Sequence, residues 1–141
     1  MSKEENLAGL GKFAEAVNSG NFDLFQEVVA PDCQDHDPAP DQEPGPEGYR
    51  RFFSGLREGF PDMHVTPEIM VADEESLAFA YTLTGTHTGQ WMGIAPTGSR
   101  IRIRGMQISK FRNGKMVERW GSSDQLGMLQ QMAITALPTK A

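Results

Sequence analysis

The sequence predicts an α+β fold in which helices come first and a curved antiparallel sheet follows. Three observations carry this. Apolar residues recur at helical spacing as far as Phe60-Pro61, and the pattern turns extended from Val65 onward. Between two apolar runs, Asn113-Gly114 is a strong two-residue hairpin signal, because both residues accept positive φ. Helices followed by strands favour a layer in which the sheet wraps around the helices.

The first helix rests on Leu7, Leu10, Ala14 and Val17, and Asn18-Ser19-Gly20 closes it with residues that tolerate a C-terminal turn. A shorter helix is expected from Phe22 to Val29. Pro31-Asp32 ends it, and the polar, Pro-rich "PDCQDHDPAPDQEPGPEG" reads as a loop. Pro46 and Glu47 suit the first turn of a third helix, whose apolar stripe is Tyr49, Phe52, Phe53, Leu56 and Phe60. Four strands are expected, at Val65–Val71, Leu77–Thr88, Ile101–Arg112 and Met116–Ser123. Leu126, Leu129 and Met132 then give a short C-terminal helix. A sheet curled on helices that do not fill it leaves a pocket open at one end, mostly apolar with a few polar groups.

The chain has 141 residues and is 38% hydrophobic, enough for one core, so a single domain over 1–141 is expected. With a formal charge of -6 and scattered Lys and Arg, nucleic acid is not an expected partner. Cys33 is the only cysteine, no apolar run approaches the roughly 20 residues of a membrane span, and the acidic start lacks an apolar signal region. A soluble cytoplasmic protein is expected. Neither a Gly-x-Ser-x-Gly nucleophile arrangement nor a phosphate loop appears.

Four stretches together, "FPD" (60–62), "GTHTGQWMGIAPTGSRI" (85–101), "NGKMVERW" (113–120) and "DQLGMLQQM" (124–132), resemble the SnoaL-like polyketide or ester cyclases of the NTF2-like superfamily. The resemblance implies a cone-shaped α+β barrel, three N-terminal helices packed on a bent antiparallel sheet, and a homodimer. It also implies cyclisation by an intramolecular aldol reaction without metal or organic cofactor, started by an aspartate after the last strand. Matched without gaps through the "NGK" turn, that aspartate falls on Gly121, a family histidine on Gln107 and its glutamine partner on Gly105. A family asparagine falls at or beside Asp35. Glycine cannot act as a general base, whose loss typically forfeits ~10²–10⁴-fold of rate, so the aldol reaction is expected to be absent or very slow.

Three residues are candidates for chemistry. Unbroken alternation from Glu118 through Trp120 and Ser122 to Asp124 would aim Asp124 at the pocket, where apolar surroundings raise a carboxyl towards working pH. Its other reading is the N-cap of the terminal helix. In either case Asp124 lies three residues past Gly121, ~10 Å along a strand and on the opposite side, so it cannot reach the same proton. His36 lies between Asp35 and Asp37, and an adjacent carboxylate can orient an imidazole for acid–base work, although loop histidines are commonly solvated. Gln107 can orient a carbonyl if it points inward.

Trp91, Trp120, Phe53, Tyr49, Met92 and His64 are candidate pocket walls, with core packing the alternative for the aromatics. His87 is read as a structural group setting the following loop, and Arg100, Arg102 and Arg104 as one solvated or dimer-facing strand face. The three histidines lack ligand spacing, so no metal is expected. Two functions remain open: a cofactor-free acid–base enzyme (isomerase, cyclase, hydratase or lyase) acting on a small hydrophobic carbonyl or epoxide compound, or a non-catalytic small-molecule binder.

Overall fold

The computed structural model describes residues 3–133, so the ends of the expected domain, 1–2 and 134–141, lie outside the described residues. Helix α1 (Lys3–Ser19) is followed by a 3₁₀ turn (Phe22–Leu24), α2 (Phe25–Val28), β1 (Val29–Asp35), α3 (Pro46–Gly59), β2 (His64–Ala72), β3 (Ser76–Thr86), β4 (Arg100–Arg112), β5 (Lys115–Ser123) and α4 (Gln125–Gln131). The strands form one curved, unclosed sheet in the order β1-β5-β4-β3-β2, and the helices cover its inner face.

Two expectations are corrected. The second helix breaks at Val28, and the segment read as the start of a loop is a strand, β1, paired parallel to β5. Its partner is some 84 residues distant, Asp35 facing Arg119, and its register shifts between Val29 and Gln34. An irregular edge strand with Pro31 and Asp32 in it shows no alternation to read. The other strands and helices lie within two residues of expectation. Asn113 (φ 54) and Gly114 (φ 77) make the tight β4–β5 turn, both in the left-handed region as the hairpin signal requires.

Burial in β4 alternates strictly, with Ile101, Ile103, Gly105, Gln107, Ser109 and Phe111 inward and the arginines outward. Phe13 of α1 meets Phe25, Tyr49 and Phe53 at ring separations of 5.0, 5.5 and 6.1 Å, so most of the α3 aromatic stripe is core. Burying a ring of this size is worth about 1.5–3 kcal/mol. In β5 the register slips beside Phe111, which pairs with Met116 while Lys110 pairs with Glu118. This bulge at Val117 puts Met116, Arg119, Gly121 and Ser123 on the inner face. Glu118, Trp120 and Ser122, expected to view the pocket, point outward.

The loop between β3 and β4 is anchored by His87, which is fully buried and stacked at 5.2 Å on Phe60. The Thr97 N–H donates to His87 Nδ1 (3.2 Å), so that nitrogen is the bare acceptor, while Nε2 has no partner within hydrogen-bond geometry. Burial lowers the His87 pKa from its ordinary 6.5, and the nearby Ile94 backbone opposes this only in part. The fold therefore holds the neutral ring, and the unfolded chain binds the proton more readily. Stability from this group is complete above pH 6.5 and is lost as pH falls below 6.5 towards the lowered folded value. Urea midpoints measured from pH 7.5 to 5.0 should fall, and His87→Gln should flatten that slope; equal slopes in both proteins would refute the role.

Candidate functional site

On the inner face, at the end of the sheet where β1 joins β5, the sequence places an acid and a base opposite each other. Asp35 closes β1 and Arg119 lies in β5, paired in register. Arg119 Nη1 donates to both Asp35 oxygens (3.2 and 3.1 Å), and Arg119 Nε donates to Gln107 Oε1 (2.9 Å). The Gln107 amide then donates to Ser109 Oγ (2.9 Å), so a buried β4 glutamine is satisfied on both ends. Asp35 also accepts from Tyr49 Oη (2.9 Å), Gln42 Nε2 (3.3 Å) and the Asp37 N–H (2.9 Å).

The Asp35 side chain is 8% exposed and that of Arg119 18% exposed. A pair so far removed from water persists because each charge is matched and hydrogen-bonded; removing one partner of a buried pair costs about 3–5 kcal/mol. Burial pushes the Tyr49 phenol well above its ordinary range, so it is a donor to Asp35 at any working pH. Burial likewise pushes the neighbouring Cys33 thiol up to about 11, which leaves it an inert core group. With about four lone-pair positions and four donor groups upon them, which make five contacts, Asp35 has no position left to receive a ligand's proton.

Gly121 permits this arrangement. A Cβ at residue 121 would run into the Arg119 guanidinium, which lies across the strand there. Nη2 is the guanidinium nitrogen over Gly121. Among the described residues it makes no hydrogen bond. Gly105 is covered in the same way by the Tyr81 ring from β3. A cleft of about 180 Å³ reaches Asp35 and Tyr49 from the side of Gln42 and Glu43, below the roughly 300–1,000 Å³ usual for ligand sites.

The other residues singled out from sequence are dispersed. Asp124 is the N-cap of α4, its side chain accepting from the Gly127 N–H (2.8 Å), as the structural alternative had it. His36 turns to the outer face, stacked at 4.4 Å and 9° on Trp120, with Nε2 2.9 Å from Glu118. The Asp35-His36-Asp37 run is split: the His36 N–H donates to the Arg119 carbonyl (2.8 Å), and the Asp37 side-chain carboxylate accepts from the Gly121 N–H (2.9 Å). Trp91 packs on Phe60 (5.6 Å) over Gly59 at the other end of α3, with Met92 beside it at φ 49. His64 is exposed at the start of β2, opposite Thr84 on the outer face. Phe53 sits in the aromatic cluster. Of the named set, Gln107 and Tyr49 meet at the polar network. Arg119, Tyr81 and Ser109 were not foreseen: the Val117 bulge turns Arg119 inward, and the cross-strand register sets Tyr81 of β3 and Ser109 of β4 beside it. Among the described residues, no group of three or more His, Cys, Asp and Glu could hold a metal ion, and no helix is long and apolar enough to cross a membrane.

Set against known proteins, residues 9–132 match the family model described as SnoaL-like polyketide cyclase. Among solved structures, TsrD from Streptomyces laurentii superposes with a TM-score of 0.86 at 21% identity, covering 95% of this chain and 98% of that one. IdmH from Streptomyces antibioticus, named as a proposed polyketide cyclase, gives 0.79 at 30% identity over 91% and 98%. AclR from Streptomyces galilaeus, named as a proposed hydroxylase, gives 0.81 at 25% over 96% and 100%. No curated protein matches.

Proposed function

Because the chain belongs to the SnoaL-like polyketide cyclase family, we propose that it binds a small uncharged carbonyl compound on the inner face of the sheet, without the family's aldol chemistry. The observation that carries this reading is Arg119 Nη2, lying over Gly121 with no hydrogen-bond partner among the described residues. Where the resemblance implies a carboxylate base, this chain presents a hydrogen-bond donor. A carbonyl oxygen is the acceptor that suits it. The Arg119–Asp35 pair is already neutral, so an anionic ligand would meet the Asp35 charge at close range in a poorly solvated place. An uncharged ketone meets no such penalty.

The binder reading is preferred to the enzyme reading because the expected acids are engaged elsewhere: Asp124 in a helix cap, His36 on the outer face, and Asp35 fully bonded. One observation keeps an isomerase-type activity in play. A guanidinium bonded to a carbonyl also favours its enolate. Calorimetric titration with the alicyclic ketone 1-decalone should show binding that Arg119→Gln weakens about tenfold, the value of one charged hydrogen bond. Equal affinity in both proteins would sink the reading. Deuterium exchange at the ketone's α-carbon, followed by NMR, separates the two functions, with none expected above background.

The proposed partner is a second copy of the chain on the outer sheet face. Two apolar rows cross the strands there, Trp120-Ile108-Ala78-Val71 and Met106-Ala80-Ile69. Ile69 is 69% and Met106 59% exposed. Apolar rows of this extent favour burial, and a two-fold pairing of one face with itself requires no other protein. Light scattering at micromolar concentration should give a dimer that Ile108→Lys splits; a wild-type monomer would remove the proposal.

A further inference from the structure

We infer that association of two copies through the outer sheet face is linked to protonation of His36, so that the dimer tightens as pH falls. The inference rests on the reading of that face as the contact between copies and adds its regulation.

Sheet register carries the first step. Asp35 pairs with Arg119, and the His36 N–H donates to the Arg119 carbonyl (2.8 Å), so His36, one residue past β1, stands beside Trp120. The apolar row Trp120-Ile108-Ala78-Val71 thus has a histidine at its β1 end. The imidazole lies flat on the indole, 4.4 Å away and inclined by 9°. A second copy that covers Trp120 therefore covers His36 as well.

This histidine does not arrive alone. Its Nε2 is 2.9 Å from Glu118 Oε2, and the two side chains are 29% and 34% exposed, so in a single chain water still screens both. Covering the row removes that water. With His36 protonated, the pair that enters the contact is neutral in sum; with the ring neutral, Glu118 carries an unmatched charge into poorer solvation, which costs free energy. Histidine is the side chain whose charge ordinarily changes between pH 5 and 8. Association that favours the protonated ring takes up protons, and by linkage it strengthens as pH falls.

The surrounding charges set the size of the effect. On β4, Lys110 is the cross-strand neighbour of Glu118 and forms no ion pair with it among the described residues, so it offsets the carboxylate only in part. Gln34, across from Glu118 on β1, is uncharged. Asp35 is matched by Arg119 on the inner face, and Asp37, engaged by the Gly121 N–H, stands beside His36 with or without a second copy. His64 is the other exposed histidine of the outer face. It lies in a row with Thr84 and Arg102, where no carboxylate opposes it, and serves as the control.

Dissociation constants from sedimentation equilibrium at pH 5.5 and 8.0 test this on the intact chain. Each His36–Glu118 pair should contribute about threefold, the value of a partly exposed ion pair, so the wild-type dimer should be about tenfold tighter at pH 5.5. His64→Gln should keep that ratio. His36→Gln and Glu118→Gln should each reduce it to about twofold or less, with melting temperatures confirming the fold. A tenfold ratio that survives His36→Gln, or a wild-type dimer of equal strength at both pH values, overturns the inference and leaves the dimer standing. A wild-type monomer at both pH values, or a dimer that Ile108→Lys leaves intact, removes the contact itself and the inference with it.

Discussion

The contact between Asp35 and Arg119 organises everything near the site. It joins the parallel edge strand β1 to β5, reaches α3 through Tyr49 and reaches β4 through Gln107, so three strands and a helix end on two charges. A buried ion pair is weak evidence for net stability, since an apolar pair of equal volume can do as well. It is strong evidence for position. Each charge is costly without the other, so the guanidinium is confined to the one place where Asp35 can reach it. That place is over Gly121, where a side chain would exclude it.

The resemblance implies a carboxylate at position 121; the residue is Gly121, and the guanidinium of Arg119, two residues earlier on the same face, lies over it. On the proposed reading a donor stands where the resemblance puts a base. The two faces of β5 then divide the work: Arg119 and Gly121 serve the inner site, while Trp120, with His36 stacked upon it, belongs to the exposed outer face. One bulged residue, Val117, decides this division, because it reverses the side-chain parity of all that follows it.

Much of the fold was readable from periodicity. The helical spacing of α1 and α3, the alternation of β4 and the Asn113-Gly114 turn are local signals with local causes, and they gave element types and boundaries within a few residues. β1 was not readable, because its pairing with β5 is set by a distant partner and its own residues include Pro31 and Asp32. The site followed the same rule. Asp124 as an N-cap and the glycine at 121 could be seen in the chain, and the inward turn of Gln107 was open either way. Arg119 could not be found by counting alternate residues, since the count is interrupted at Val117. The Asp35-His36-Asp37 run misled for a related reason: neighbours in a strand point to opposite faces, so adjacency in sequence separated the groups it seemed to gather.

The central claim is that Asp35 holds Arg119 over Gly121, and a double-mutant cycle on unfolding free energy tests it most directly. Asp35→Asn, Arg119→Gln and the double variant would be unfolded in urea at pH 7 beside the wild type. The account predicts that the single changes are strongly non-additive, with a coupling of about 2 kcal/mol between the two sites. Additivity within about 0.5 kcal/mol would contradict it, showing that the guanidinium is not held by Asp35 in solution.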